Sequence, residues 1–122
     1  NKVSEISKKN NSSTIKISKN EKERLSFWIG RKAAFPACGA MAPDYYCMDG
    51  SIPRGKLAEA LKEINKLSKK YNLSVANCFH AGDGNLHPLI MFDGSKKDEL
   101  KKTEEFGSEI LKMCVKSGGV LT

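Results

Sequence analysis

Asn77-Cys78-Phe79-His80-Ala81-Gly82-Asp83-Gly84-Asn85-Leu86-His87-Pro88 is the stretch on which the reading of this chain turns. It holds both histidines of the protein. Asp83-Gly84 is a dipeptide well suited to the two positive φ angles of a type I′ hairpin turn. A two-residue turn at that point sets Gly82 opposite Asn85, Ala81 opposite Leu86 and His80 opposite His87. Directly opposed residues have Cβ atoms roughly 4.5–5.5 Å apart and leave the sheet on one face. Two imidazoles so placed can share a divalent metal ion. The plain alternative is a hairpin whose histidines are merely solvated or satisfied in the core. Symmetry about a strong turn, with small residues that admit a ligand close to the backbone, favours a site.

The hairpin extends on both sides. Ser74 to Phe79 leads in, and Leu89-Ile90-Met91-Phe92 continues the second strand. Before it, Pro53 suits the first turn of a helix carrying Leu57, Ala60, Leu61, Ile64, Leu67 and Tyr71 on one face, a core-facing element without chemistry. After it, Ser95 with Asp98 has the pattern of an N-cap. The helix that follows carries Leu100, Phe106, Ile110, Leu111 and Cys114 and stops at Gly118-Gly119, and Val120-Leu121-Thr122 begins a further element.

Toward the N-terminus, Tyr45-Tyr46-Cys47-Met48-Asp49 reads as a short strand closed by Gly50-Ser51, and Pro36 to Pro43 as a loop. Asn20 is an N-cap, with Glu23 as its capping-box partner, for a helix through Leu25, Phe27, Trp28 and Ile29 that ends before Pro36. Arg31 shares the Phe27–Trp28 face. Its spacing fits an arginine laid over aromatics with its head in solvent, or a planar fork awaiting a carboxylate. Ser13-Thr14-Ile15-Lys16-Ile17-Ser18 alternates apolar and polar residues and reads as a strand. Val3 and Ile6 place a helical segment at the start. The order is helix, strand, helix, strand, helix, strand, strand, helix: an α+β domain with a largely antiparallel sheet and helices on one face. Gly82-Asp83-Gly84 lies within a hairpin, and no phosphate-cradling glycine motif occurs.

At 122 residues, 39% apolar and 29% charged, the chain has the size and composition of one globular domain. No stretch approaches the apolar length of a membrane span, and Asn1 to Asn10 lacks the apolar core of a secretory signal. The chain does not start with methionine, so a fragment or a processed product is expected. Residues 1–32 carry nine Lys/Arg and three Glu, against twelve basic and eleven acidic residues in 33–122. The lysines are dispersed among glutamates without stacking aromatics, so a solvated face is expected rather than a nucleic-acid surface. Cys38, Cys47, Cys78 and Cys114 include no C-x-x-C pair, which argues against a zinc ribbon and for reduced thiols in the cytoplasm.

Three stretches resemble one family in order and spacing: Phe27-Trp28-Ile29-Gly30-Arg31-Lys32-Ala33-Ala34-Phe35-Pro36-Ala37, Pro43-Asp44-Tyr45-Tyr46-Cys47-Met48-Asp49-Gly50-Ser51-Ile52-Pro53-Arg54, and the histidine hairpin through Ile90. They are similar to the C-terminal substrate domain of FAD-linked 2-hydroxy-acid oxidases and dehydrogenases, with the FAD-carrying subunit of glycolate oxidase nearest and D-lactate and D-2-hydroxyglutarate dehydrogenases as cousins. The resemblance implies a ferredoxin-like cap over an FAD domain of the vanillyl-alcohol-oxidase type. It also implies a divalent metal, zinc or manganese, on His80 and His87, substrate carboxylate on Arg31, and Asn85 beside the substrate. It implies a small 2-hydroxy acid as substrate and an FAD domain or companion subunits as partners. Localisation is then cytoplasmic, or peripheral to the inner membrane through those subunits.

Two departures qualify the match. Relatives often carry arginine where this chain has Ala40. The family also continues into a Gly-Glu-His-Gly segment that supplies a metal-binding glutamate and a histidine base, and it places the FAD domain before the region matching Asn1. Residues 1–122 are therefore expected to be part of a truncated cap domain without the FAD-binding domain, with no catalytic group of its own and no activity in isolation. A non-enzymatic metal-binding or interaction module is the alternative.

Overall fold

A computed structural model describes residues 1–121, which divide into two compact units, Asn1–Ala33 and a second that begins at Ala34. In the first unit, helix α1 (Lys2–Lys9) starts at Asn1, whose side chain accepts from the Val3 N–H. Helix α2 (Glu21–Lys32) starts at Asn20, whose side chain accepts from the Glu23 N–H at 3.0 Å. The Glu23 carboxylate reaches back to the Lys19 N–H, one residue earlier than a strict capping box. The strand expected over Ser13–Ser18 does not form. Alternation alone cannot hold a strand without a ladder partner, and Ile17 of that segment is exposed. Neither helix of this unit has a buried residue.

In the second unit, α3 (Ala34–Cys38) replaces the start of the expected Pro36–Pro43 loop. Pro36 is tolerated because it falls in the first turn, where its missing N–H has no intrahelical acceptor. Strands β1 (Asp44–Cys47) and β2 (Gly50–Ser51) follow, then a short 3₁₀ turn (Arg54–Lys56), α4 (Leu57–Tyr71), β3 (Val75–His80), β4 (Asn85–Phe92), α5 (Lys97–Lys116) and β5 (Val120–Leu121). The two-residue stretch expected to close the first strand is thus itself in the sheet. All pairings among the described strands are antiparallel, with β3 on one edge of β4, β1 and β2 on the other, and β5 outside β2.

β1 and β2 are one strand in a single register. Cys47 faces Leu89 and Gly50 faces Leu86, so continuation puts Met48 opposite Pro88 and Asp49 opposite His87. The Met48 N–H donates to the Pro88 carbonyl, but Pro88 has no N–H to return the bond, and the ladder is interrupted there. With that continuity the second unit is a β-α-β-β-α-β ferredoxin-like α+β fold, as expected.

α4 and α5 cover one face. Ala60, Ile64 and Leu67 of α4 and Phe106, Ile110 and Cys114 of α5 pack with Leu86 and Ile90 of β4, and with Met48 and Ile52, into the core. α4 ends at Asn72 in the left-handed conformation. α5 starts differently from expectation. Ser95 is not its N-cap, because its N–H and hydroxyl both donate to Asp93, and the cap residue Lys96 makes no side-chain cap bond. Its end is as read. Gly118, at φ +83°, lets the Gly119 N–H reach the Cys114 carbonyl and the Gly118 N–H reach that of Val115. β5 then pairs with β2.

Candidate functional site

The hairpin exists, but its register differs from the expected one. His80 pairs with Asn85, Phe79 with Leu86 and Cys78 with His87, leaving a four-residue loop over Ala81–Gly84. Both the Asp83 and Gly84 N–H groups donate to the His80 carbonyl, and only Gly84 of the pair takes a positive φ. A I′ turn needs two such residues; the longer loop needs one, and Gly84 fills it. No other residue fits at position 84, since a Cβ would lie 2.1 Å from the Ile52 carbonyl oxygen. The loop is also tied down from outside: the Ile52 N–H donates to the Gly84 carbonyl, and Arg54 Nη1 lies 3.4 Å from the Gly82 carbonyl.

A shift of two residues preserves the face on which each side chain emerges. His80 and His87 are therefore diagonal rather than opposed, yet still adjacent, with ring centroids 5.5 Å apart and planes 85° apart. Two rows of side chains cross the face that α4 and α5 leave uncovered. One runs Ser51, Asn85, His80, and the other Asp49, His87, Cys78. Phe35 of α3 sets its ring against His87 at 6.1 Å, edge to face. Asn85 Nδ2 donates to Asp49 Oδ1 at 2.9 Å, and Asp49 Oδ2 lies 3.4 Å from His87 Nδ1. The next row brings Cys47 to the same face, and its thiol is pushed up in pKa, first by burial and then by the charge of Asp49 and by Cys78.

Asp49 and the two thiols were not singled out in the sequence as site residues. The available signal was the parity of Cys47, Asp49 and Ser51 along one strand, which becomes informative only once that strand is known to pair with the histidine strand.

Arg31 lies in the other unit, in the last turn of α2, where it frames a shallow surface hollow with Arg24, Phe27 and Trp28. Among the described residues it makes no ion pair. Among the described residues, too, no group of three His, Cys, Asp or Glu side chains is arranged to hold a metal ion. The two imidazoles provide neighbouring nitrogen donors, short of the three protein ligands usual for a catalytic zinc. No helix among the described residues is long and apolar enough to cross a membrane.

Comparison with known proteins places this geometry in context. Residues 1–122 match the family described as FAD linked oxidases, C-terminal domain. The chain is 50% identical over 120 residues to glycolate oxidase subunit GlcD of Escherichia coli K12, covering 98% of this chain and 24% of that protein. It is 32% identical over 121 residues to the Bacillus subtilis glycolate oxidase subunit GlcD, covering 99% and 26%. With the mitochondrial D-lactate dehydrogenase [cytochrome] of Arabidopsis thaliana it shares 31% over 122 residues, covering 98% and 22%. The chain thus spans about a quarter of the length of these curated relatives. By the match over its whole length, this chain belongs to the C-terminal domain family of FAD linked oxidases.

Proposed function

We propose that this chain is the substrate-facing cap portion of a flavin-dependent oxidoreductase acting on 2-hydroxy acids of the glycolate or D-lactate type. His80 and His87 are two ligands of a divalent metal ion, zinc or manganese, Arg31 is the carboxylate anchor, and Asn85 lies beside the substrate. The observation that carries the reading is the pair of imidazoles 5.5 Å apart on one sheet face, with Asn85 in the neighbouring row. The names of the relatives, glycolate oxidase subunit and D-lactate dehydrogenase, support the substrate class.

The donor set fits a shared metal in part: two neutral nitrogens from this chain, with the remaining positions filled by water, substrate or residues outside it. When bound, such a cation stabilises negative charge on a substrate oxygen, and FAD, held by a domain outside this chain, accepts the electrons. The chain's own residues then bind and orient. The Arg31 guanidinium can take a carboxylate through two parallel N–H···O bonds, which fixes the direction of the adjacent carbon. Asn85, its amide nitrogen turned to Asp49, is left with its side-chain oxygen as an acceptor.

The test uses a protein that carries this chain together with its flavin-binding part, mixed anaerobically with glycolate or D-lactate. Bleaching of the oxidised flavin by one or both is expected, and Arg31→Lys, which keeps the charge but loses the fork, should slow it by at least tenfold. A flavin that stays oxidised with both acids overturns the substrate class. Unchanged rates for Arg31→Lys return Arg31 to the solvated-aromatic reading.

A further inference from the structure

We infer that Asp49 is a positioning residue, holding His87 in the tautomer whose proton is on Nδ1, so that Nε2 is left bare for a ligand. Three observations converge on it. Asp49 continues the β1–β2 register to stand directly opposite His87, at a pair flanked by the interrupted Met48–Pro88 step. Its carboxylate touches two residues of the candidate site, Oδ1 accepting from Asn85 Nδ2 at 2.9 Å and Oδ2 facing His87 Nδ1 at 3.4 Å. The His87 side chain is only 18% exposed and its ring is flanked by Phe35 and His80, which restricts its reorientation.

The tautomer follows from chemistry. A carboxylate can only accept, so the stable neutral imidazole facing it carries its hydrogen on the facing nitrogen. At 3.4 Å the contact is longer than a full hydrogen bond, so the carboxylate acts on the facing nitrogen through its charge and lone pairs. The same carboxylate fixes Asn85, since an amide oxygen turned toward Asp49 would meet like partial charge. One residue therefore sets the direction of both side chains. A carboxylate behind a ligating histidine generally changes metal affinity by about 10–100-fold.

The metal part of this inference rests on the proposed function; the tautomer part does not. Long-range proton–nitrogen correlation spectra of the metal-free chain, at a pH where both rings are neutral, report the tautomer of each histidine directly. His87 is expected with Nδ1 protonated. In Asp49→Asn the amide can donate to Nδ1, and the population should move to the Nε2-protonated form, whereas Asp49→Glu should restore the original form. A wild-type His87 protonated on Nε2 overturns the inference before any variant is made, as does a tautomer unchanged in Asp49→Asn and Asp49→Ser.

Zinc titration forms the second arm. Asp49→Asn should weaken binding about 10–100-fold. Equal affinity for zinc in wild type and Asp49→Asn, while His87→Ala loses it, overturns the role toward the metal. Zinc binding indifferent to His87→Ala sinks the proposed metal site instead, and the spectra alone then decide the role of Asp49.

Discussion

The two faces of β4 are made by alternate residues of one strand and have opposite characters. Leu86, Pro88, Ile90 and Phe92 point toward α4 and α5, and Leu86 and Ile90 are among the most deeply buried side chains of the protein. Asn85 and His87 point the other way, into rows that contain Ser51, Asp49, Cys78 and His80. Farther along that second face Leu89 and Met91 are again buried, so the polar group is confined to the hairpin end. A strand fixed on one side by a packed core can hold polar side chains rigidly on the other, where a loop would let them wander. The packed core and the polar rows are thereby assigned to different parities of the same segment.

Substitutions on the two faces should separate those roles. The largest effect is expected at Phe106, fully buried beneath the sheet and stacked on Tyr71 with ring centroids 5.5 Å apart. Phe106→Ala should cost about 3–5 kcal/mol, measured by urea unfolding of the chain. A loss below about 1 kcal/mol would mean that the helix-covered face is not the main source of stability. Next comes the turn that sets the register. Gly84→Ala meets both a positive φ and the Ile52 carbonyl, and should cost about 1–3 kcal/mol. It should also shift the amide resonances of Ile52 and Arg54, and unshifted resonances would show that the loop is not anchored there. On the opposite parity, His80→Ala should change unfolding stability by less than about 1 kcal/mol, since His80 sits on the exposed end of its strand. A core-sized loss would return the histidines to a structural role.

The smallest effect is electrostatic and lies away from the site. Glu109 is held below its ordinary carboxylate range, first by Lys70 and then by the hydroxyl of Tyr71, which donates to it at 2.6 Å. Its folded pKa is depressed, so its contribution is fully present above the ordinary value and lost as pH falls through the folded one. Glu109→Gln should therefore flatten slightly the fall in stability below about pH 4.5, with little effect on the histidine face. An unchanged acid slope would show that this surface group contributes nothing measurable.

Much of the framework was legible because its signals are local. The apolar face of α4, the Asn20 cap, the Gly118-Gly119 stop and the existence of a hairpin at Asp83-Gly84 all rest on residues within a few positions of each other. The hairpin register was not legible, because Asp83-Gly84 suits a two-residue turn while the Gly84 contacts with Ile52, far off in sequence, select a four-residue loop. Ser13–Ser18 had the pattern of a strand but no partner to pair with. Ser95 had the identity of a cap, yet Asp93 accepts both its N–H and its hydroxyl. In the candidate site, the two histidines stood out through an expected symmetry about the turn, which the structure replaces with a diagonal pairing. Asp49 was not, because its place opposite His87 depends on a strand pairing across about 40 residues of intervening chain.

The central claim is that the paired imidazoles are a metal-binding element, and titration of the chain with zinc or manganese, followed by calorimetry, tests it most directly. One ion per chain is expected, bound weakly because two protein nitrogens fall short of a complete catalytic set. Binding should disappear in both His80→Ala and His87→Ala while the fold is retained. Binding that survives either substitution, or heats indistinguishable from dilution in the wild type, would contradict the account.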